Sequence, residues 1–369
     1  VVLALAKKAG GLGKADPSPD KHQAAQSFFN TQFHRVICDE SQRLVNPKTL
    51  TFKAIRLLRS KYYLCLTGTP IRNYDHDLHT QLLFCGLSPK IKWSQKTYTQ
   101  LGLRDAVYCQ SMEQADIHLP EKKVIQLDLD FSDEELHIYQ SLHRSSVASF
   151  EAFSSGKKPF AAVLSRFLRL RQVCIAPYLV SGKILVDEEN HQLFEKTKHG
   201  LRSTKVLQVL DIIQQTPVSE KVLVFSSFKS ALDLVKDALG ALLPQDNGVV
   251  MVHGGTSTKK RDAVFETFRN SDSCRVLLLT NNVGCMGLNL TEANHVILIE
   301  PWWNDTVGEQ ATARSWRIGQ TKTVYVWRLV MKNSIERRML DMCTSKCEMT
   351  AKYLKDANMD SQTLIGLLR

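Results

Sequence analysis

No internal repeat and no low-complexity tract occurs in this sequence, which excludes a repeat array as its architecture. No apolar run approaches the ~18 residues that cross a bilayer. The opening VVLALA (Val1–Ala6) is too short for a signal-peptide core, and no cleavage-type segment follows it. Nine cysteines include no C-x-x-C pair, so neither a zinc ribbon nor a thioredoxin-type site is expected. Cys343 and Cys347 sit four apart on an expected helix, without His or Cys partners nearby, and are read as structural. An odd count, with Cys38, Cys65 and Cys274 in apolar strands, suits a reducing compartment. The chain starts at Val1 without methionine, and the expectation is a fragment or processed piece of a cytosolic or nuclear protein.

What is present is ordinary globular material: 369 residues, 43% apolar, enough for two or three domains. The formal charge is +11. A basic excess of this size favours a polyanionic partner, nucleic acid before an acidic membrane, although the charge is spread along the chain and not held in one tail.

Three β-rich runs fall in the first 70 residues: VVLALA, FHRVIC (Phe33–Cys38) and YYLCL (Tyr62–Leu66). Between the last two, Leu50, Ala54, Leu57 and Leu58 have helical spacing, and such alternation predicts a parallel sheet with crossover helices. Residues 76–202 read as a helical insertion and linker. After Ser203 alternation returns, with strands expected at KVLVFSS, GVVMVH, CRVLLL, HVILIE and TVYVWRLV and helices between most of them. The expected division is 1–75, the end of a first α/β lobe; 76–202, the insertion; 203–332, a second α/β lobe; and 333–369, a helical extension.

Open parallel sheets bind ligands at the carboxyl ends of their strands, and two lobes suggest a ligand in the cleft between them. Asp39-Glu40 follow FHRVIC; adjacent carboxylates there are costly unless they hold a cation or a proton in transit. Thr67-Gly68-Thr69-Pro70 follow YYLCL and offer hydroxyls on a fixed turn. After CRVLLL, Gly284 and Gly287 allow close backbone approach, and Asn282, Asn289 and Thr291 are neutral donors suited to a sugar-phosphate chain. Gln310, Arg314 and Arg317 have helical spacing that predicts one shared face, with both guanidiniums aimed at a phosphate. Each pattern also has a plain reading as a solvated strand end, turn or basic stripe.

Taken in order, VICDESQ, LTGTPIRN, KVLVFSSF, TNNVGCMGLNL and QATARSWRIGQ resemble motifs II to VI of the Swi/Snf-type ATPases of helicase superfamily two. LRLRQVCIAPYLV, STKVLQVL and EPWWN support the resemblance, and PWWN with SIERRML looks most like the repair-linked Rad subgroup; compact baculoviral global transactivators are similar too. The resemblance implies two RecA-like parallel-sheet lobes, the first truncated, with a helical insertion between them. It implies ATP and Mg²⁺, with Asp39 holding the metal, Glu40 as general base, and Arg314 and Arg317 as arginine fingers beside Gln310. Gln42, Thr67, Gly68 and Thr69 would couple hydrolysis to motion, while Asn282, Gly287, Asn289 and Thr291 would face DNA. His253-Gly254 with Arg261 matches the segment between motifs IV and V. The implied activity is ATP-dependent translocation on double-stranded DNA in chromatin remodelling, repair or transcription control. Chromatin and DNA-bound proteins are the candidate partners, in the nucleus or, for a virus, the host nucleus.

Some positions depart from the family pattern. Motif II is Asp-Glu-Ser-Gln where the family more often has Asp-Glu-Ala-His or Gly-His, which predicts altered coupling more than lost hydrolysis. AVYCQSMEQADIHLP stands where relatives carry a basic stretch, and no Cys/His framework for a RING insertion exists, so neither zinc nor ubiquitin-ligase activity is expected. The string Gly-Leu-Gly-Lys at residues 11–14 fails as a phosphate loop: Lys8 stands where the first glycine belongs, Ala15 where the metal-binding hydroxyl belongs, and Pro17 and Pro19 break the following helix. Motif I is therefore expected upstream of Val1. Two alternatives stay open: a truncated module that binds DNA or protein without turnover, and an RNA helicase of the same superfamily.

Overall fold

In a computed structural model, residues 27–71, 76–88, 106–110, 114–154, 160–180, 203–242, 248–284, 287–302 and 306–341 are described, with a few further positions between 90 and 112. The expectations for VVLALA, Gly-Leu-Gly-Lys, Arg72 and Asn73, Cys343, Cys347 and the tail beyond Asp341 lie outside the described residues. The chain divides into two compact units, residues 1–111 with 345–369, and residues 112–344.

In the first unit, β1 (Gln32–Cys38) and β2 (Arg59–Cys65) pair in parallel, with Cys38 opposite Cys65. Helix α1 (Leu50–Arg56) forms the crossover, and the Thr49 hydroxyl caps it by accepting from the Phe52 amide at 3.3 Å. Its buried Phe52 joins Leu44 and Phe84 in a core that Cys38, Tyr63 and Cys65 pack against. Helix α2 (His76–Phe84) buries polar Asp77, Thr80 and Gln81 as well as Leu78, Leu82 and Phe84. It ends in a Schellman motif: Leu87 N bonds to Leu82 O at 2.9 Å and Gly86 N to Leu83 O at 3.3 Å. Gly86 takes φ 112° there, a conformation that a side chain would strain.

The second unit is built on a six-stranded, all-parallel sheet. Its strands are β3 (Lys122–Leu129), β4 (Lys221–Ser226), β5 (Val249–Val252), β6 (Val276–Thr280), β7 (Ala293–Leu298) and β8 (Val324–Met331), in the order β3-β8-β7-β4-β6-β5. The helices are α3 (Asp133–Ser154), α4 (Phe160–Ile175), α5 (Thr204–Gln215), α6 (Lys229–Leu242), α7 (Thr258–Asn270), the single turn α8 (Asn281–Gly284) and α9 (Thr306–Thr312). β4 and β6 are buried almost throughout, as a two-sided parallel core requires, which is why their sequences read as continuous apolar runs. Helices α5 and α6 pack Val206, Ile213, Leu232 and Val235 against one face of the sheet. α7 packs Phe265 and Phe268 with the cluster of Leu223, Leu277 and Val296.

One expectation is corrected. Residues 76–202 are not helical throughout, because β3 lies within them and pairs along its whole length with β8. The second compact unit, residues 112–344, therefore includes β3 together with the strands that follow 203. β3 was overlooked because it alternates Ile125, Leu127 and Leu129 with Gln126 and Asp128 between helical segments, and its pairing partner lies far downstream. Among the described residues, no helix is long and apolar enough to cross a membrane.

Candidate functional site

In the first unit the ends of β1 and β2 are tied together. Leu66 N donates to Cys38 O at 2.8 Å, and Ser41 N to Leu66 O at 3.0 Å. Glu40 takes the left-handed conformation (φ 51°, ψ 45°), which turns the chain sharply out of the strand into the short 3-10 helix Ser41–Arg43. Its amide donates to Asp39 Oδ1 at 2.9 Å. Asp39 is exposed, Glu40 half-buried, and Ser41 and Gln42 buried.

Gln42 is the bridge. Its Nε2 donates to the Glu40 carboxylate, and its Oε1 accepts from Thr67 Oγ1 at 2.7 Å. Thr67 Oγ1 in turn accepts from the Thr69 amide at 3.0 Å. A continuous polar path therefore runs from Glu40 through Gln42 and Thr67 to Thr69. Thr69 Oγ1 is buried and meets no hydrogen-bond partner among the described residues. A second path runs beside the first. Ser41 Oγ donates to Gln81 Oε1 at 2.7 Å, and Gln81 Nε2 donates to Pro70 O at 2.6 Å and Asp77 O at 3.2 Å. Gln81 was not singled out from the sequence; the available signal was a polar side chain on the apolar face of α2.

In the second unit the segments after β6 and after α9 are adjacent. Leu290 N donates to Arg314 O at 2.9 Å, and Arg317 Nη1 reaches the carbonyls of Gly287 and Leu288, each at 3.4 Å. Gly287 has φ 68°, exposed beside exposed Asn289 and half-buried Thr291. Arg269 donates to Asn289 O at 3.0 Å. Asn282 lies on α8, and Asn281 beside it donates to Ser227 Oγ at 2.9 Å. Gln320, overlooked in the sequence, fixes the two segments to each other: its Nε2 donates to Thr291 O at 3.0 Å and Ala293 O at 2.9 Å. His253, Thr256 and Arg261 form their own turn, with Arg261 Nη2 donating to Thr256 O at 3.3 Å.

The shared helix face expected for Gln310, Arg314 and Arg317 is not found. α9 ends at Thr312, so Gln310 is helical while both arginines lie in the turns that follow. The chain leaves the helix because Ser315 and Trp316 are drawn inward. Ser315 Oγ bonds to Ala293 O, and Trp316 Nε1 bonds to Pro120 O at 2.7 Å. Arg314 is buried, and Arg317 is exposed.

At the carboxyl ends of β4 and β7, Glu300 is buried and accepts from Ser226 Oγ at 2.9 Å and Ser227 N at 2.6 Å. Burial raises its pKa against the opposing pull of Ser227 and Arg171. The Arg171 guanidinium lies over the Trp302 ring at 4.3 Å and over Phe228 at 5.3 Å. Three stretches noted in the sequence, LRLRQVC, KVLVFSSF and EPWWN, thus meet at one point. STKVLQVL supplies Lys205, fully buried, whose Nζ bonds to Glu336 at 2.8 Å, Ile299 O at 2.6 Å and Leu329 O at 3.2 Å. A cavity of about 30 Å³ lined by Phe225, Asn281, Glu300, Trp302 and Arg328 has room for little more than one water.

Two family models match the chain, "SNF2-related domain" over residues 20–179 and "Helicase conserved C-terminal domain" over residues 204–319. "Putative helicase 172L" of Invertebrate iridescent virus 6 is 34% identical over 89% of this chain and 62% of its own length. "DNA repair and recombination protein RAD54-like" of Drosophila ananassae is 27% identical over 89% of this chain and 46% of its own length. The chain thus spans about half to two thirds of these relatives. The solved "Sulfolobus solfataricus SWI2/SNF2 ATPase core in complex with dsDNA" covers 92% of this chain and 72% of its own, at 24% identity and TM-score 0.50, a likeness of fold.

Proposed function

Because this chain belongs to the Swi/Snf-type family of helicase superfamily two, with Rad-type relatives, we propose that it forms the hydrolytic and DNA-engaging part of an ATP-driven translocase on double-stranded DNA. The observation that carries this reading is the polar path Glu40–Gln42–Thr67–Thr69. It gives the expected general base a built connection to the hydroxyls expected to report nucleotide state. A solvated acidic turn has no need of buried amide bridges.

Asp39 suits Mg²⁺, which keeps several waters and takes few protein ligands: it is an exposed carboxylate whose Oδ1 is steadied by the Glu40 amide. Bound there with ATP, the metal would neutralise charge on the phosphates. Glu40 accepts the proton of the attacking water, and Gln42 orients its carboxylate. Arg314 and Arg317 supply positive charge to the transition state, next to Gln310. Asn282, Gly287, Asn289 and Thr291 face the DNA backbone, where an exposed positive-φ glycine lets phosphates approach the main chain. The net charge of +11 favours the same partner. Chromatin remodelling, repair and transcription control are the settings in which such a motor works.

The experiment is Glu40→Gln in the longest product of this reading frame. DNA-stimulated ATP turnover should be lost while nucleotide binding is kept; turnover at the unsubstituted rate overturns the assignment. A second reading has one specific observation in its favour. No Gly-Lys-Ser or Gly-Lys-Thr triplet occurs in the 369 residues, so the phosphate loop of this superfamily is not among them. A module that binds DNA or protein without turnover fits that fact. Duplex-stimulated ATP turnover by the 369-residue chain alone rejects it.

A further inference from the structure

We propose that Cys65 and Cys85 form an oxidisable dithiol that closes to an intramolecular disulfide when a hydroperoxide reaches it. The two sulfurs are 3.7 Å apart, one at the end of β2 and the other just beyond α2. A disulfide needs about 2.05 Å between sulfurs, so closure asks for side-chain rotation and a small shift of one helix end. Cys85 is exposed and Cys65 half-buried, so one thiol meets the oxidant while the other waits behind it. Cys85 also immediately precedes Gly86, the positive-φ residue at which the helix stops, so little regular structure resists the shift.

The electrostatics fit these roles. A bond from the Cys65 thiol lowers the Cys85 pKa, and that bond together with burial raises Cys65. The Cys85 thiolate attacks one peroxide oxygen, the O–O bond breaks, and Cys85 becomes a sulfenic acid while the released hydroxide takes up a proton as water. The Cys65 sulfur then attacks the Cys85 sulfur, losing its proton, and a second water leaves with the sulfenic oxygen. Two thiols and one peroxide give one disulfide and two waters.

The bridge would act on the relay described above, and this consequence rests on the proposed function. Cys65 stands two residues before Thr67, and its sulfur also lies 3.9 Å from Gln81 O. Gln81 holds Ser41 and Pro70, so a covalent tie between β2 and the end of α2 fixes the turn that must move if hydrolysis is coupled to translocation. Oxidation should therefore slow DNA-stimulated turnover, and a thiol reductant should restore it.

The test is peptide mapping of the whole chain after hydrogen peroxide, with free thiols alkylated and no reductant. Trypsin cuts after Arg35, Arg43, Lys61, Arg72 and Lys90, which places Cys38, Cys65 and Cys85 on three different peptides. The expected product is the linked pair carrying Cys65 and Cys85, reversed by dithiothreitol and absent from Cys85→Ser, whose circular dichroism should match the parent. A Cys38–Cys65 link, a sulfinic acid on Cys85 without a link, or unmodified thiols under conditions that oxidise free glutathione would each overturn the proposal. If the link forms but the longest product of the reading frame shows no turnover in either redox state, the functional reading fails and the oxidation site stands.

Discussion

Gln81 shows what one buried amide does at the residue scale. Its side chain is 3% exposed and joins the turn after β1 to the turn after β2 through Ser41 and Pro70. Ser41 occupies a place where the family more often has Ala or Gly, so the hydroxyl and its amide partner form a linkage that an apolar residue could not. Gln81→Leu should destabilise the first unit by about 1–3 kcal/mol, the cost of leaving a buried hydroxyl and a carbonyl unpaired. Urea unfolding followed by the shift in midpoint measures it, and an unchanged midpoint would show that water replaces the amide at no cost. Asp39 and Glu40 were legible in the sequence because two carboxylates at the end of an apolar run are conspicuous by themselves. Gln81 was not, because a single polar residue in a helix acquires meaning only from a partner forty positions away.

At the scale of elements, the apolar runs of β4 and β6 declared themselves, since burial on both faces favours apolar residues along nearly the whole strand. β3 and the end of α9 did not. A strand's alternation is weak over eight residues when helices flank it, and spacing alone cannot show that Ser315 and Trp316 pull the chain out of a helix. The practical consequence concerns where the second unit can be cut. A polypeptide of residues 112–341 should be soluble and unfold cooperatively. One starting at 203 lacks β3 and exposes the edge of β8, whose Val324, Val326 and Leu329 are at most 1% exposed in the complete sheet. The shorter piece should aggregate or lose hydrogen-exchange protection along β8. Equal protection in the two pieces would mean that β3 contributes nothing to the sheet.

Across the whole molecule, burial lowers the pKa of His79 and, in the second unit, of His295. His295 Nε2 lies 2.7 Å from Glu220, and its Nδ1 accepts from Trp327 Nε1 at 3.3 Å, so the neutral ring uses both nitrogens. Protonation would set a new N–H against the indole N–H. Burial lowers the His295 pKa below its ordinary 6.5, outweighing the attraction of Glu220. The unfolded chain therefore binds this proton more readily than the folded one, and stability falls as pH drops below about 6.5. Burial works to raise the Glu220 pKa, but bonds from Asn294 and His295 carry it below its ordinary value, so its share is lost at still lower pH. Thermal melting between about pH 7.5 and 5.5 should show the decline, and His295→Phe should flatten it. An equal slope in both proteins would assign the effect to other groups.

The pairing of β3 with β8 also bears on how the chain is made. Lys122 meets Val324 in register, so an edge strand synthesised early finds its place only after nearly all of the second unit has left the ribosome. Until then its exposed backbone must be kept from other strands, and β4 to β7 can assemble without it. Among the described residues, the sheet's last strand in the sequence is thus the one that admits its first, so on vectorial synthesis this edge can close only after the other strands have been made.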